Sequence, residues 1–206
     1  MNPANYVEIQ RIVNGTHLDG RVENAIEEAT YHVGTLARWL KSYDLPAESF
    51  LDAGCRTGYA MEALAQHFPS AEVTGIDIVP EFVQIADLRG TAVEGDMQEM
   101  PFEDEQFDWT FSCTSIEHAP DTNAAVEEMR RVSKYGFYVH TDLEDKATAA
   151  LNSSHHTYHE TPEEWIDVFR HPEWFLCYLH VPRYNRVELI MIRKRFRTLL
   201  KDAPWR

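Results

Sequence analysis

The sequence predicts one α/β domain with a doubly wound, mostly parallel sheet and helices on both faces. From residue 50 onward, short apolar runs alternate with segments whose apolar residues recur at helical spacing. This pattern is typical of parallel strands joined by helical crossovers. The 206 residues suffice for one well-buried core and contain neither an internal repeat nor a low-complexity linker. We therefore expect a single domain over residues 1–206.

Residues 1–45 are predicted to be helical and to form an N-terminal lid before the α/β core, which we place at residues 48–195. Proline disfavours continuation of a helix, so the helical segment should end near Asp44-Leu45-Pro46. The prediction rests on apolar residues at helical spacing, namely Val22, Ala25, Ile26, Ala29, Val33, Leu36, Ala37 and Leu40.

Seven strands are predicted in the core. Helices should separate the first five, and a later helix should begin at Thr161-Pro162-Glu163-Glu164, which combines proline at the first helical position with a capping box. Only a short link joins the last two strands, so they should form an antiparallel hairpin at the end of the sheet. The predicted strands are residues 50–53, 73–76, 91–93, 107–111, 135–140, 174–181 and 187–192.

The charge distribution disfavours a nucleic-acid substrate. The net charge is −15, and residues 183–206 carry eight basic against two acidic residues, which leaves about −21 on the first 182. A segment with this much negative charge repels polyanions at long range. The basic end can be read as a solvated edge of the sheet.

Composition also predicts a cytoplasmic protein. No apolar run approaches the roughly 20 residues of a membrane span, and the N-terminus lacks the pattern of a signal peptide. The three cysteines are scattered and odd in number, so they form no disulfide framework, which favours a reducing compartment.

Polar residues and glycines follow four consecutive predicted strands, the fourth of which is followed by the segment from Ser112 to His118. The first strand ends at Asp52, and Gly54 and Gly58 follow before a helix begins, an order that lets backbone N–H groups approach a ligand. The second strand ends at Asp77, which is placed to accept hydrogen bonds from ribose hydroxyls. After the third strand, Asp96 and Met97 suit the amino group and face of a purine. Because ligands of open α/β sheets bind outside the carboxyl ends of the strands, these features should form one site.

A nicotinamide-dinucleotide site shares the first two features but fits the sequence poorly. Its fingerprint is Gly-x-Gly-x-x-Gly, whereas Arg56 and Tyr59 occupy the second and third glycine positions after Gly54. An arginine at the position of closest approach would crowd a pyrophosphate. The dinucleotide interpretation also gives no role to Asp52 or Asp96.

With these residues, the chain resembles the class I S-adenosylmethionine-dependent methyltransferases over roughly residues 48–195, which implies a Rossmann-like fold. The family's first motif is acid-x-Gly-x-Gly-x-Gly, and Arg56 replaces its middle glycine. The Arg56 guanidinium either pairs with the cofactor carboxylate or turns to solvent. By this resemblance, the cofactor-binding residues would be Asp52, Gly54, Cys55, Arg56 and Gly58 for the methionine moiety, Asp77 and Ile78 for the ribose, Asp96 and Met97 for the adenine, and Ser112 and Cys113 at the methionine end.

Catalysis at an oxygen acceptor would require a group that removes a proton. His118 follows the fourth strand and is the first candidate, while His140 ends the fifth strand and is the second. For each histidine, an imidazole that only hydrogen-bonds a loop is an equally open interpretation.

A divalent metal is possible but not favoured. The stretch around Glu117 and His118 is similar to that of ubiquinone-biosynthesis O-methyltransferases and small-RNA 2′-O-methyltransferases, which hold a metal through Glu-x-x-Glu-His and a later histidine. His156 offers the later histidine, but Thr114 replaces the first glutamate.

The resemblance thus implies a methyltransferase that converts S-adenosylmethionine to S-adenosylhomocysteine and methylates a small molecule, at oxygen. A catalytically idle cofactor-binding module or activating subunit is the first alternative. A metal-assisted RNA 2′-O-methyltransferase is the second. The sequence predicts neither the acceptor nor the oligomeric state.

Overall fold

The computed structural model describes residues 22–142, 161–181 and 186–200, and their strands form one seven-stranded sheet. In the sheet the strands follow the order β3-β2-β1-β4-β5-β7-β6. Strands β1 to β5 are mutually parallel, as predicted. The strands are β1 (Ser49–Ala53), β2 (Glu72–Asp77), β3 (Thr91–Glu94), β4 (Phe107–Cys113), β5 (Ser133–Asp142), β6 (Trp174–His180) and β7 (Arg186–Arg193).

The predicted antiparallel hairpin is present, but β7 lies inside the sheet rather than at its edge. Strand β7 pairs antiparallel with both β5 and β6, so β6 forms the edge and runs parallel to the first five strands. The burial of the two strands explains this order. The run Val187–Ile192 is buried throughout, whereas the end of β6 is exposed. A strand that is apolar on both faces is stable only where both faces are covered.

Helices cover both faces of the sheet, which confirms the predicted fold class. On one face, α1 and α2 pack on Phe50, Trp109 and Tyr138. On the other face, α4 and α5 pack on a cluster that contains Phe137 and Val139. The helices are α1 (Val22–Ser42), α2 (Tyr59–His67), α3 (Pro80–Ala86), α4 (Thr122–Val132) and α5 (Pro162–Phe169).

The N-terminal helix packs as a full layer of the domain. Val33 and Leu36 of α1 are completely buried, because its apolar stripe faces the sheet. The first residues of α1 lie near the carboxyl ends of the strands, where Asn24, Ala25 and Glu28 line a cavity. Residues 1–21 of the predicted lid lie outside the described residues.

Side-chain caps fix the start of two helices. The Ala124 N–H donates to Asp121 Oδ1 at 3.0 Å, so Asp121 is the N-cap of α4. At α5, Thr161 and Glu164 form the predicted capping box, with Pro162 at the first helical position. Within the described residues, no helix is both long and apolar enough to cross a membrane.

The close spacing of β5 and its neighbours depends on Gly136. A Cβ at this position would lie 2.4 Å from the Met191 carbonyl oxygen and 2.4 Å from the Trp109 ring. We therefore expect Gly136→Ala to lower the free energy of unfolding by on the order of 3 kcal/mol, because backbone and a buried ring must both shift. Denaturant unfolding measures this loss.

Gly34→Ala is the matched control for that substitution. Gly34 lies within α1, and the nearest atom to its added Cβ would be 3.6 Å away. Alanine has the higher helix propensity, so this variant should gain up to about 1 kcal/mol. Equal unfolding midpoints for the two variants would contradict the packing described for Gly136.

Candidate functional site

Two adjoining cavities lie at the carboxyl ends of β1 to β4. The small cavity, of about 60 Å³, is bordered by residues after β2 and β3, including Asp77, Ile78, Asp96 and Met97. The large cavity, of about 400 Å³, extends from Asp52 toward α1. The walls that both cavities share are formed by Gly54, Arg56, Thr114, Ser115 and His118. The predicted juxtaposition of the strand ends is therefore present.

The glycine loop lies directly against the turn after β4. Gly54 has a φ of 82°, and a Cβ there would come within 2.4 Å of Ser115 Cβ. The N–H groups of Gly54 and Cys55 both donate to the Ile76 carbonyl oxygen, at 2.9 and 3.0 Å. Only glycine combines this conformation with this close approach.

Gly58 shapes the loop and does not line either cavity. It is the N-cap of α2, with a φ of 84°, and its N–H donates to the Cys55 carbonyl oxygen at 2.8 Å. A Cβ at this position would lie 3.1 Å from the backbone of Ala86 in α3. Its contribution to a ligand site is therefore the turn geometry.

Arg56 links the loop to the end of β2. Its backbone adopts a φ of 47°, and its N–H donates to Asp77 Oδ2 at 2.8 Å. The half-buried guanidinium lies 5.8 Å from the centroid of the Phe82 ring. Burial lowers the pKa of Arg56 from its usual value, and Asp77 opposes this shift. The side chain thus borders the cavities as a partly desolvated cation.

Asp52 is a buried acid with an unsatisfied oxygen. Its side chain borders the large cavity, and Oδ2 has no hydrogen-bond partner among the residues that the structure describes. Burial, with a smaller effect of Asp77, raises the pKa of Asp52 to about 8. A buried carboxyl group of this kind is stabilised by a cationic donor. The large cavity therefore suits a ligand with an ammonium group.

Asp77 and Asp96 are held by backbone donors at the small cavity. Besides the Arg56 N–H, Asp77 accepts from the Val79 N–H at 2.9 Å, although burial still raises its pKa. Asp96 Oδ1 accepts from the Gln98 N–H at 2.8 Å, and the Gln98 side-chain amide also contacts the carboxylate. Both carboxylates are therefore oriented without a ligand and retain lone pairs for hydroxyl or amino donors.

At the end of β4, the structure separates the two predicted residues Ser112 and Cys113. Successive side chains of a strand point to opposite faces. Cys113 borders the large cavity, whereas Ser112 is completely buried and lies outside the walls of both cavities. The prediction that Ser112 borders the ligand is therefore corrected.

The turn after Cys113 contains residues that the sequence analysis did not single out as ligand-binding. Thr114 has a φ of 47°, an unusual conformation for a β-branched residue and one that is found mainly at functional sites. Its N–H donates to the His140 carbonyl oxygen at 2.9 Å. Ser115 Oγ lies 3.1 Å from the Gly54 carbonyl oxygen and joins this turn to the glycine loop.

The two candidate bases have different surroundings. His118 is half-buried, ends the short 3₁₀ helix Ile116–His118 and borders both cavities. His140 is completely buried, lies outside both cavity walls and stacks on His32 with ring centroids 3.8 Å apart. Burial, aided by His32 and Arg186, lowers the pKa of His140 to about 2. Of the two predicted bases, His118 is therefore the one that borders the cavities, and His140 is enclosed in the core.

Glu117 and His118 have different surroundings. Glu117 is buried, and Thr141 Oγ1 donates to its Oε2 at 3.1 Å. Glu117 lies outside the cavity walls that include His118. His156, the predicted third ligand, lies outside the described residues.

The rim of the large cavity is formed by an ion-pair network that links distant parts of the chain. Arg186 of β7 pairs with Glu28 of α1 and with Asp142 of β5, each at 2.9 Å. Glu28 and Arg186 are 158 residues apart in sequence. No motif marks any of these residues, so sequence reasoning had no signal for them.

Because Glu117 is buried, we expect it to make the stability of the protein fall as pH rises. Burial, with the nearby Asp142, raises its pKa to about 8 from a usual value of 4.5. Between these values the folded chain keeps a proton that the unfolded chain releases, so this residue lowers stability progressively as pH rises. Glu117→Gln retains an acceptor for Thr141 but cannot ionise. We expect its thermal midpoint to gain on that of the wild type from about pH 5 to about pH 8. Parallel midpoint curves would contradict a buried, titrating Glu117.

Residues 51–140 match a protein family described as a methyltransferase domain. A malonyl-acyl-carrier-protein O-methyltransferase from Herminiimonas arsenicoxydans is 37% identical over 93 residues, which are 45% of this chain and 35% of that protein. The 24-methylenesterol C-methyltransferase 3 of Arabidopsis thaliana is 37% identical over 100 residues, 44% of this chain and 28% of that protein. The chain therefore spans about a third of the length of these two relatives.

Solved structures show the same fold. The magnesium protoporphyrin IX methyltransferase of Synechocystis PCC 6803, with bound S-adenosylhomocysteine, superposes with a TM-score of 0.64 over 80% of this chain and 83% of that one. At 16% sequence identity, this likeness concerns the fold alone.

Proposed function

We propose that this chain, whose residues 51–140 match a methyltransferase domain, is a class I S-adenosylmethionine-dependent enzyme that methylates a small molecule at oxygen. The observation that carries the proposal is the unsatisfied Asp52 carboxyl oxygen. It lies beside a glycine loop, and Asp77 and Asp96 border the adjoining cavity. A nicotinamide dinucleotide has no ammonium group that would satisfy Asp52.

The residues of the two cavities fit the parts of S-adenosylmethionine. Asp77 and Ile78 would hold the ribose, and Asp96 and Met97 the adenine, at the small cavity. Asp52 would accept from the ammonium group, and Cys55 and Cys113 would border the methionine moiety, at the large cavity. Arg56, which lies in the glycine loop and borders both cavities, would pair with the carboxylate. When bound, the cofactor supplies a methyl group on a positively charged sulfur.

The chain contributes positioning and a proton acceptor. Gly54 and Ser115 form part of the wall that the two cavities share, and the acceptor would enter through the large cavity, which has the greater volume. His118, on the shared wall, would take the proton that the acceptor oxygen loses as its bond to the methyl carbon forms. Most of the rate enhancement would come from holding the acceptor in line with the methyl group.

The net charge supports a small acceptor rather than a nucleic acid. At the rim, Arg186 pairs with both Glu28 and Asp142, and the chain as a whole carries a net charge of −15. A polyanion would be repelled at long range by a protein of this charge. All three cysteines are free thiols, which fits the cytoplasmic location that we propose.

Product formation separates an enzyme from an idle binding module. The protein would be incubated with S-adenosylmethionine and fractionated metabolite pools, and S-adenosylhomocysteine would be quantified by mass spectrometry. We expect release with at least one pool and a methyl ether or ester as the second product. Tight cofactor binding without turnover on any pool, with or without Mg²⁺ or Zn²⁺, would favour the idle module instead.

A further inference from the structure

A compact group of metal-ligating side chains lies next to the large cavity, and one of its members, Cys113, also borders that cavity. It consists of His32 on α1, Cys113 at the end of β4 and His140 on β5. One potential ligand atom from each residue lies within 4.8 Å of the other two. Imidazole nitrogen and thiolate sulfur are the ligands that zinc favours in proteins.

The pair Cys113 and His140 already has the spacing of two zinc ligands. Cys113 Sγ lies 3.5 Å from His140 Nδ1. Zn–N and Zn–S bonds of about 2.0 and 2.3 Å at a tetrahedral angle place nitrogen and sulfur about 3.5 Å apart. His140 is completely buried, and its Nε2 has no hydrogen-bond partner among the described residues. A zinc ion on Nδ1 would not contact Nε2, so the spacing to Cys113, and not this nitrogen, is the observation that supports a metal here.

His32 has the second hydrogen bond that metal-ligating histidines usually make. Its Nδ1 lies 2.7 Å from Tyr138 Oη and 2.9 Å from Glu188 Oε1. In the neutral tautomer in which Nδ1 donates to these oxygens, the lone pair is on Nε2. A carboxylate that fixes the tautomer in this way is the common outer partner of a zinc-bound imidazole. Tyr178 Oη in turn donates to Glu188 Oε2 at 3.3 Å.

Simple packing is the competing explanation for the cluster. The rings of His32 and His140 stack with an interplanar angle of 23°, and the Cys113–His140 contact is also compatible with a hydrogen bond. The nitrogen lone pairs lie in the ring planes, so a shared ion requires one of the two rings to rotate out of the stack. Packing alone gives no reason for a thiol at zinc-ligand distance from one imidazole, next to a second imidazole that contacts a carboxylate.

We propose that His32, Cys113 and His140 bind one zinc ion. Because Cys113 borders the large cavity, the fourth ligand position would face that cavity, which also provides the entry path. The ion would link α1 to β4 and β5, next to the part of the large cavity that Asn24 and Glu28 line. This site is distinct from the one considered for Glu117, His118 and His156, and it does not depend on methyl transfer.

Metal content and a cobalt spectrum test the proposal directly. Untagged full-length protein, purified under reducing conditions, would be stripped with a chelator, titrated with Zn²⁺ and analysed by elemental mass spectrometry. We expect one zinc per chain at micromolar free metal. With Co²⁺ in place of zinc, a thiolate-to-cobalt charge-transfer band should appear in the near ultraviolet, a signal that requires a cysteine ligand.

Variants locate the binding site. Cys113→Ser and His32→Gln should each lower zinc affinity at least tenfold, and Cys113→Ser should abolish the charge-transfer band. Cys177→Ser is the control, since Cys177 is a buried thiol of the same core layer that lies outside the cluster, and this variant should leave both signals intact. A combined His155→Ala, His156→Ala and His159→Ala variant tests whether the other histidine-rich segment binds the metal. This variant should retain both the zinc affinity and the cobalt band.

The same experiments can overturn the proposal. Absence of the cobalt band in folded wild-type protein would do so without any variant. Zinc binding that persists in Cys113→Ser, or that disappears with the three histidines of residues 155–159, would likewise assign the metal elsewhere.

Discussion

Replacing His118 by alanine should lower kcat by about 10²- to 10⁴-fold, the usual contribution of a positioned general base. His118 borders both cavities, whereas His140 borders neither. Since the imidazole acts on the acceptor proton and not on the cofactor, the affinity for S-adenosylhomocysteine should remain near that of the wild type. Steady-state kinetics and calorimetry on the same protein preparation measure the two quantities.

The exposed His180 supplies the control for this variant, and His180→Ala should retain full turnover. Added imidazole should partly restore His118→Ala, because a small base can enter the space of the deleted ring. Equal losses of turnover and cofactor affinity would show that His118 supports the binding site and is not the base. Unchanged turnover would indicate an acceptor atom that needs no deprotonation.

Asp77→Ala should weaken the binding of S-adenosylhomocysteine by about 30- to 1,000-fold. Two hydrogen bonds from ribose hydroxyls to a charged group contribute roughly 2–4 kcal/mol. The substitution also removes the acceptor of the Arg56 and Val79 N–H groups, which loosens the glycine loop. Isothermal titration calorimetry gives the affinity, and thermal unfolding shows how much of the loss reflects the loop.

Glu94→Ala is the matched control for Asp77→Ala. Glu94 is the register partner of Asp77 on the neighbouring strand, is exposed and does not border either cavity. The Glu94→Ala substitution removes one negative charge at nearly the same place and leaves the proposed ribose site unchanged. Similar affinities for the two variants would refute the role of Asp77.

The cofactor side of the site could be predicted because its elements are local in sequence. Asp52, Asp77 and Asp96 each follow a recognisable strand, and parallel strands bring their carboxyl ends to one edge. Glycine at position 54 was equally informative, since a positive φ and a close neighbour leave few other residues possible. The fold class followed from the same alternation.

The acceptor side could not be predicted because it depends on contacts between distant segments. The Glu28–Arg186 ion pair forms only when β7 enters the sheet beside β5, and a continuous apolar run does not specify its neighbours. The burial of His140 likewise depends on α1, whose His32 covers it. The assignment of Ser112 to the ligand site failed for a simpler reason. Neighbouring residues of a strand point to opposite faces of the sheet, so an error of one residue selects the wrong face.

A crystal structure of the complex with S-adenosylhomocysteine is the most direct test of the central claim, that these two cavities form a methyl-donor site. We predict ribose hydroxyls within hydrogen-bond distance of the Asp77 carboxylate, the ammonium group on Asp52, and the sulfur at the shared wall near Ser115 and His118. Density for the ligand elsewhere, or an adenosyl group placed away from Asp77 and Asp96, would contradict the proposed site.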